Sequence, residues 1–286
     1  MSQLFDSAFL QKIQQLTLHS QLAADGASAG SRKSRSKGSS VEFSDYREYA
    51  SGDDFRRIDW NAYGRFEKLF VKLFMEEREA PVTVFLDVSK SMDWGEPNKS
   101  TASRRLAAAL GYIGLSGFDR VSVVCINDGV QQMCKDIRGK NFFYRLTDML
   151  ENVRYTGESN IQQAIDGCRL QTGRGITVLI SDFFSGGSFD EVLKHCSFRK
   201  QEVYVCHMLS PQELRPDIGE AVRLVDCETN AVLDITVTPA LLDAYGKALD
   251  QFRGRLEQAC FRYGAHYYPF SSAMKLEEMV KEVAGR

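Results

Sequence analysis

Four short apolar runs, each rich in β-branched residues, recur along the second part of the chain. They are VTVFLDVS from Val82, RVSVVCIN from Arg120, GITVLISD from Gly175 and QEVYVCHM from Gln201. Short apolar runs without regular polar alternation are typical of parallel strands that are buried on both faces. The pattern therefore predicts one central sheet.

Segments with helical periodicity separate these runs. Apolar residues at helical spacing predict helices over residues 101–115, 142–153 and 161–170. A longer amphipathic helix is predicted to follow Thr238-Pro239, an N-cap and a first-turn proline, and to reach Cys260. Because strands that alternate with helices imply crossover connections, we predict an α/β fold. Its sheet is doubly wound and mainly parallel, with helices on both faces.

Two further segments extend this core near its C-terminal end. The sequence HYYPF, at residues 266–270, predicts a last strand, and residues 271–283 predict a last helix. Two alternating segments, residues 222–228 and 231–237, are separated by Thr229-Asn230 and predict a hairpin. We expect this hairpin to be added at the edge of the sheet.

The first 80 residues have a different pattern. An amphipathic helix is predicted from Asp6, its N-cap, to Leu18, docked on the main body, and a strand is predicted over residues 69–77. Residues 41–60 contain aromatic, arginine and aspartate residues at a density that is too high for a plain strand. We therefore divide the chain into an N-terminal helix and strand extension, residues 1–80, and an α/β domain, residues 81–286.

Composition and charge exclude several classes of protein. The 286 residues are 43% hydrophobic and carry a formal net charge of −2, so no global field attracts nucleic acid or an anionic membrane. The N-terminus lacks the apolar core of a secretory signal, and no apolar run approaches the roughly 18 residues that a membrane span requires. Seven isolated cysteines and four histidines show no zinc-site spacing. We predict a soluble, cytoplasmic protein.

A Gly/Ser-rich segment, residues 24–40, contains four closely spaced basic residues. They are Arg32, Lys33, Arg35 and Lys37. This composition is typical of a solvated, mobile loop, and contact with phosphate is the alternative. Four residues in a loop do not form the basic face of a folded domain that nucleic-acid binding requires, so that function is disfavoured.

Oxygen-bearing side chains lie at the ends of two predicted strands and just before one predicted helix. Asp87, Ser89 and Ser91 come at the end of the first central strand, Ser159 precedes a helix, and Asp182 ends a later strand. Carboxylate and hydroxyl oxygens at one sheet edge suit a hard cation, so we predict a Mg²⁺ or Mn²⁺ site. Taken singly, each of these residues is better explained as a helix cap or an Asx-turn residue, and it is the set that favours a metal site.

The spacing D-x-S-x-S at Asp87, Ser89 and Ser91 resembles the metal-ion-dependent adhesion site of von Willebrand factor A domains. The resemblance implies that the hydroxyls coordinate the cation and that the aspartates act directly or through water. Two positions depart from the usual pattern. Ser159 stands where threonine is commoner, and Phe183 stands where glycine is usual.

The segment upstream, residues 42–65, is similar to the signature of the bacterial "domain of unknown function 58" family. This resemblance implies a von Willebrand factor A-like fold and an association with MoxR-type AAA+ ATPases. Its dense polar residues are candidates for a partner-binding platform. They are Arg47, Asp53, Asp54, Arg56, Arg57, Asp59 and Trp60. The alternative is a salt-bridged turn that only fastens the N-terminal segment to the sheet.

Two functions are consistent with these features. The first is a binding module, in which an acidic side chain of a protein partner completes the coordination of the cation. The second is a metal-dependent phosphoesterase or hydrolase. We expect no enzymatic activity, because none of the four histidines follows a strand end that builds the site.

Overall fold

The computed structural model describes residues 4–16, 42–51, 53–75, 81–117, 119–168, 174–185, 187–219, 221–227 and 231–285. The chain divides into two compact units, one formed by residues 1–22 together with 80–286 and the other by residues 23–79. The basic segment, residues 24–40, lies outside the described residues.

Secondary-structure elements are numbered in chain order through both units. The smaller unit holds β1 (Glu42–Glu48), a 3-10 turn (Phe55–Arg57), α2 (Trp60–Phe66) and β2 (Phe70–Met75). The larger unit holds α1 (residues 7–16), β3 (Pro81–Asp87), a 3-10 turn (Lys90–Met92), α3 (Lys99–Ser116), β4 (Arg120–Ile126), β5 (Val130–Ile137), α4 (Phe143–Asn152), α5 (Ile161–Gly167), β6 (Gly175–Ser181), α6 (Phe189–Phe198), β7 (Gln201–Leu209), α7 (Pro211–Leu214), β8 (Ala221–Val225), β9 (Val232–Thr236), α8 (Pro239–Tyr263), β10 (His266–Ser271) and α9 (Leu276–Ala284).

A six-stranded, mostly parallel sheet forms the centre of the larger unit. Its strand order is β10-β7-β6-β3-β4-β5, and β5 alone runs antiparallel to its neighbour β4. All four predicted apolar runs lie in this sheet, so the α/β prediction is confirmed. Both faces of these strands are buried, which explains why their sequences lack regular polar alternation.

Helices cover both faces of the sheet. In β4, Val123 and Cys125 belong to one apolar cluster, whereas Val124 and Ile126 belong to a second cluster on the opposite face. The first cluster also contains residues of α1, α3, α4 and α9, and the second contains residues of α5, α6 and α8. The sheet is therefore the middle of three layers.

The predicted first helix is present in the larger unit. The Asp6 carboxylate accepts a hydrogen bond from the Phe9 N–H at 2.7 Å, which is the expected N-cap interaction. Phe9, Ile13 and Leu16 are buried in the first apolar cluster. The prediction that this helix docks on the main body is confirmed.

Three details of the sequence prediction are wrong. The hairpin of β8 and β9 forms a separate two-stranded sheet and does not extend the central one. Part of residues 41–60 is a strand, since β1 pairs antiparallel with β2. The edge strand β5 was not predicted, because its sequence VQQMCKDI is largely polar and largely exposed.

Candidate functional site

The candidate site lies where the direction of the sheet connections reverses. The chain leaves β3 toward β4 on one side, whereas it leaves β6 toward β7 on the other side. Crevices at the carboxyl ends of strands that flank such a switch point are the usual ligand sites of open α/β sheets. Asp87 is the last residue of β3, and Asp182 directly follows β6.

Backbone hydrogen bonds join three loops at this edge. The Val88 N–H donates to the Ile126 carbonyl at 2.7 Å, which connects the ends of β3 and β4. The Thr156 N–H donates to the Val88 carbonyl at 3.0 Å, and the Lys90 N–H donates to the Gly157 carbonyl at 3.1 Å. These bonds fix the loop that precedes α5 against the loop that follows β3.

The carboxylate of Asp87 is the centre of the site. It is fully buried, and its Oδ1 accepts the Ser89 N–H at 2.9 Å. Its Oδ2 accepts the Ser159 hydroxyl at 2.8 Å and the Ser181 hydroxyl at 2.6 Å. Burial, and then the nearby negative charge of Asp182, raise the pKa of Asp87, while the hydrogen bonds oppose that rise.

Two serine hydroxyls lie side by side next to this carboxylate. The Oγ atoms of Ser89 and Ser91 are 3.1 Å apart, and Ser91 is partly exposed. Adjacent ligands of an octahedral Mg²⁺ with metal–oxygen distances of about 2.1 Å are separated by about 3.0 Å. The spacing of the two hydroxyls therefore fits a pair of adjacent ligands.

Asp182 is engaged by a buried lysine. Its Oδ2 contacts the Lys99 Nζ at 2.7 Å, and its Oδ1 accepts the Phe184 N–H at 3.2 Å. Lys99 also contacts the Glu213 Oε1 at 2.6 Å. Burial opposes the charge of Lys99, but the two carboxylates outweigh it and raise the pKa of the ammonium group.

The predicted metal residues therefore separate into two neighbouring groups. Ser159 hydrogen bonds to Asp87, and Ser89 lies beside Ser91, whereas Asp182 faces Lys99. No cluster of three His, Cys, Asp or Glu side chains suitable for an ion occurs within the ranges that the structure describes. With Asp182 engaged by Lys99, the possible metal ligands are the Asp87 carboxylate and the neighbouring serine hydroxyls. Oxygen ligands of this kind fit Mg²⁺ or Mn²⁺.

Three residues of the site were missed in the sequence. Ser181 is the last residue of β6, and a single serine at the end of an apolar strand gave no sign of a polar contact. Lys99 is the first residue of α3, and Glu213 belongs to a capping box with Ser210. Both positions are typical of exposed helix starts, so only the tertiary structure brings these two charges together.

Polar residues of the suggested platform make local contacts in the smaller unit. Asp53 accepts a hydrogen bond from Arg47 at 2.7 Å, and Asp54 caps the turn through the Arg56 N–H at 3.1 Å. Asp59 caps α2 and also accepts the Tyr46 hydroxyl at 2.8 Å.

Trp60 is exposed, as are Arg47, Asp54 and Arg56 of the platform, and it is the aromatic member of this set. Arg57 lies in the 3-10 turn, and its side chain is outside the described part of the structure. The carboxylates of the platform therefore have hydrogen-bond partners within the smaller unit.

The comparisons with known proteins give a family but no activity. Over residues 45–254 the sequence matches the family described as "Protein of unknown function DUF58". Similar proteins include the uncharacterized proteins Mb1516 of Mycobacterium bovis and Rv1480 of Mycobacterium tuberculosis. Each is 26% identical over 270 residues, which cover 92% of this chain and 84% of the relative.

Similar solved structures have low TM-scores. BatB of Bacteroides thetaiotaomicron is 16% identical with a TM-score of 0.46, and the match covers 72% of this chain and 96% of that chain. An aerotolerance-related membrane protein of Bacteroides fragilis gives the same identity and TM-score, with 72% and 97% covered. A membrane-spanning protein of Vibrio fischeri has a TM-score of 0.25 and 10% identity, with 73% and 98% covered.

These descriptions correct the prediction of a cytoplasmic location. Two of the matching structures are described as membrane proteins, so that prediction does not stand. Among the residues described, no helix has the length and apolar character to cross a bilayer.

The family match covers more than half of the chain and includes the strand of Asp87 and most of α8. The chain therefore belongs to the DUF58 family.

Proposed function

We propose that the chain is a protein-binding module with a von Willebrand factor A-like fold, and that it contacts its partner through a divalent cation. The cation would be Mg²⁺ or Mn²⁺ at the carboxyl edge of the central sheet. The proposal rests on the Ser89 and Ser91 hydroxyls, 3.1 Å apart beside the buried Asp87 carboxylate.

Each residue of the edge has a separate part in this proposal. Asp87, Ser89 and Ser91 would hold the cation, and Ser159 would orient the Asp87 carboxylate through its hydrogen bond of 2.8 Å. The bound cation would supply positive charge and an open coordination position. An acidic side chain of the partner suits that position, because carboxylate oxygens are preferred ligands of hard cations.

Exposed aromatic side chains on the same loops support a binding role. Trp94 follows the 3-10 turn that contains Ser91, and its exposed fraction is 46%. Phe184 follows Asp182 by two residues, and its exposed fraction is 41%. Aromatic residues dominate the energetic centres of protein interfaces, so a polar cation site on loops that also carry such residues favours a protein partner.

For the partner we propose an AAA+ ATPase of the MoxR type, which rests on the family resemblance. The competing function is a metal-dependent phosphoesterase. His207, the histidine near this edge, is fully buried and bonds to the Tyr267 hydroxyl at 2.7 Å. This position does not favour a general base for a metal-bound water, so the binding module remains the preferred function.

The test measures binding of the purified chain to a MoxR-type ATPase of the same organism at constant Mg²⁺. Because such an ATPase itself requires Mg²⁺ for its nucleotide, the role of the site is assessed with Asp87→Asn rather than with a chelator alone. We expect Asp87→Asn to bind the ATPase at least about tenfold more weakly than the wild type, which is equivalent to roughly 1.4 kcal/mol. The exposed Asp243 provides the matched control Asp243→Asn, which should bind like the wild type.

Equal binding by the wild type and Asp87→Asn would contradict the proposed docking surface. Turnover of para-nitrophenyl phosphate that requires Mn²⁺ and is lost in Asp87→Asn would instead favour the phosphoesterase.

A further inference from the structure

The pair of Lys99 and Asp182 is placed where an ammonium group is unfavourable. Both side chains are fully buried, and transfer of a charge from water to such a site is costly. Lys99 is also the first residue of an 18-residue helix, α3, whose N-terminus repels cations. The carboxylates of Asp182 and Glu213 offset these costs, so the lysine position is set by the two acids.

The surrounding structure holds the second acid in place. The Glu213 Oε2 accepts the Ser210 N–H at 2.7 Å, and the Glu213 carbonyl accepts the Tyr245 hydroxyl at 2.7 Å. Gln212 exchanges two hydrogen bonds with the backbone of Glu96, at 3.1 and 2.7 Å. Lys99 therefore has a fixed position between the loops that follow β3, β6 and β7.

The fixed ammonium group of Lys99 limits the ability of Asp182 to bind a cation. One Asp182 oxygen is occupied by Lys99 and the other by the Phe184 N–H. A cation beside Asp87 would therefore meet a carboxylate whose two oxygens already have partners. It would gain one carboxylate ligand rather than two, so the cation together with that ligand would retain a net positive charge.

We propose, on the basis of the binding function above, that Lys99 is the specificity-determining residue of the cation site. It acts as an internal counter-ion that keeps Asp182 from the cation. The site then binds a free divalent cation weakly, and the retained positive charge favours an acidic group of the partner as the completing ligand.

The first test compares Mn²⁺ affinity in the wild type and in the double variant Lys99→Met/Glu213→Gln, by electron paramagnetic resonance. The double variant leaves the net charge of the three residues unchanged but frees Asp182. Release of Asp182 should tighten Mn²⁺ binding by about tenfold or more. The rise in melting temperature on addition of Mn²⁺ should also be larger in the double variant, because the cation then neutralises an unpaired buried carboxylate.

A second test does not require removal of the lysine. Asp182→Asn and Glu213→Gln each remove one negative charge and leave Lys99 with one acid. If Lys99 keeps Asp182 from the cation, both variants should weaken Mn²⁺ binding to a similar extent. A much larger loss in Asp182→Asn would show that Asp182 contacts the cation, and it would overturn the proposal for Lys99.

The outcomes separate this proposal from the binding function. If the wild type binds Mn²⁺ and the folded double variant binds it no more tightly, the role of Lys99 is overturned and the binding function stands. If only the double variant binds Mn²⁺, the role of Lys99 is supported and the cation dependence of the wild type is overturned. If neither binds Mn²⁺, both proposals are overturned. If the double variant is unfolded, the comparison of Asp182→Asn with Glu213→Gln decides.

Discussion

The backbone of Phe183 is in the left-handed region, with φ of 57°, directly after Asp182. A bulky residue is uncommon there, since the left-handed conformation costs about 1 kcal/mol or more for residues other than glycine. The Phe183 ring is buried, with its centroid 5.1 Å from that of Phe189 and 5.7 Å from that of His207. Packing of the ring therefore offsets the strain at a position where the family resemblance has glycine.

This balance predicts an unusual order of stability. Phe183→Gly and Phe183→Ala should both lower the free energy of unfolding, by about 3 kcal/mol, because a buried ring is removed. The alanine variant retains the strain and the glycine variant does not, so Phe183→Gly should be the more stable by about 1 kcal/mol. Urea unfolding measures both values. An alanine variant at least as stable as the glycine variant would show that the backbone is not strained.

His207 is a buried group whose protonation is coupled to folding. Burial lowers its pKa to about 4, against an ordinary value of about 6.5. The unfolded chain therefore binds the proton more tightly, and the free energy of unfolding should decrease as the pH falls from about 6.5 to about 4. The full decrease is on the order of 3 kcal/mol.

The measurement is urea unfolding at several pH values in the wild type and in His207→Gln. In His207→Gln, the free energy of unfolding should change much less than in the wild type between about pH 6.5 and about pH 4. The control is His266→Gln, which changes a partly exposed histidine of β10 and should retain the decrease. Identical profiles for the wild type and His207→Gln would contradict the assignment.

At the scale of elements, the side chain of Thr238 caps and stabilises the N-terminus of α8. The Thr238 hydroxyl oxygen accepts the Leu241 N–H at 3.2 Å, and Pro239 occupies the first turn. Loss of this cap in Thr238→Ala should lower the free energy of unfolding by about 1 kcal/mol. Thr147→Ala is the control, because the Thr147 hydroxyl bonds within α4, to the Tyr144 carbonyl at 3.0 Å. A difference of less than about 0.3 kcal/mol between the two variants would be evidence against the cap.

Elements with strong local signals were predicted from the sequence. The apolar runs of β3, β4, β6 and β7 and the Thr238-Pro239 start of α8 are such signals, and all are present in the structure. The edge strand β5 was missed because its pattern is polar, and the position of the hairpin was wrong because sequence periodicity does not specify which strands pair. The same limit applies to the site. The hydrogen bond between Ser159 and Asp87 follows from strand order, whereas the contact of Lys99 with Asp182 requires the packed structure.

At the scale of the whole molecule, the chain carries a net charge of only −2. Recognition of the proposed partner would therefore depend on local arrangements of charge rather than on an overall field. The carboxyl edge of the sheet is such an arrangement, since it combines buried acids, a buried lysine and exposed aromatic residues.

The most direct measurement for this account is equilibrium binding of Mn²⁺ to the wild type, Asp87→Asn and the control Asp243→Asn, by electron paramagnetic resonance. The substituted asparagine would retain the shape of the Asp87 side chain but lack the negative charge that attracts the cation. We predict one Mn²⁺ site in the wild type and the control, displaced by excess Mg²⁺, and at least about a tenfold loss of Mn²⁺ affinity in Asp87→Asn. Equal Mn²⁺ affinity in folded wild type and Asp87→Asn would contradict the central claim that Asp87 holds a divalent cation.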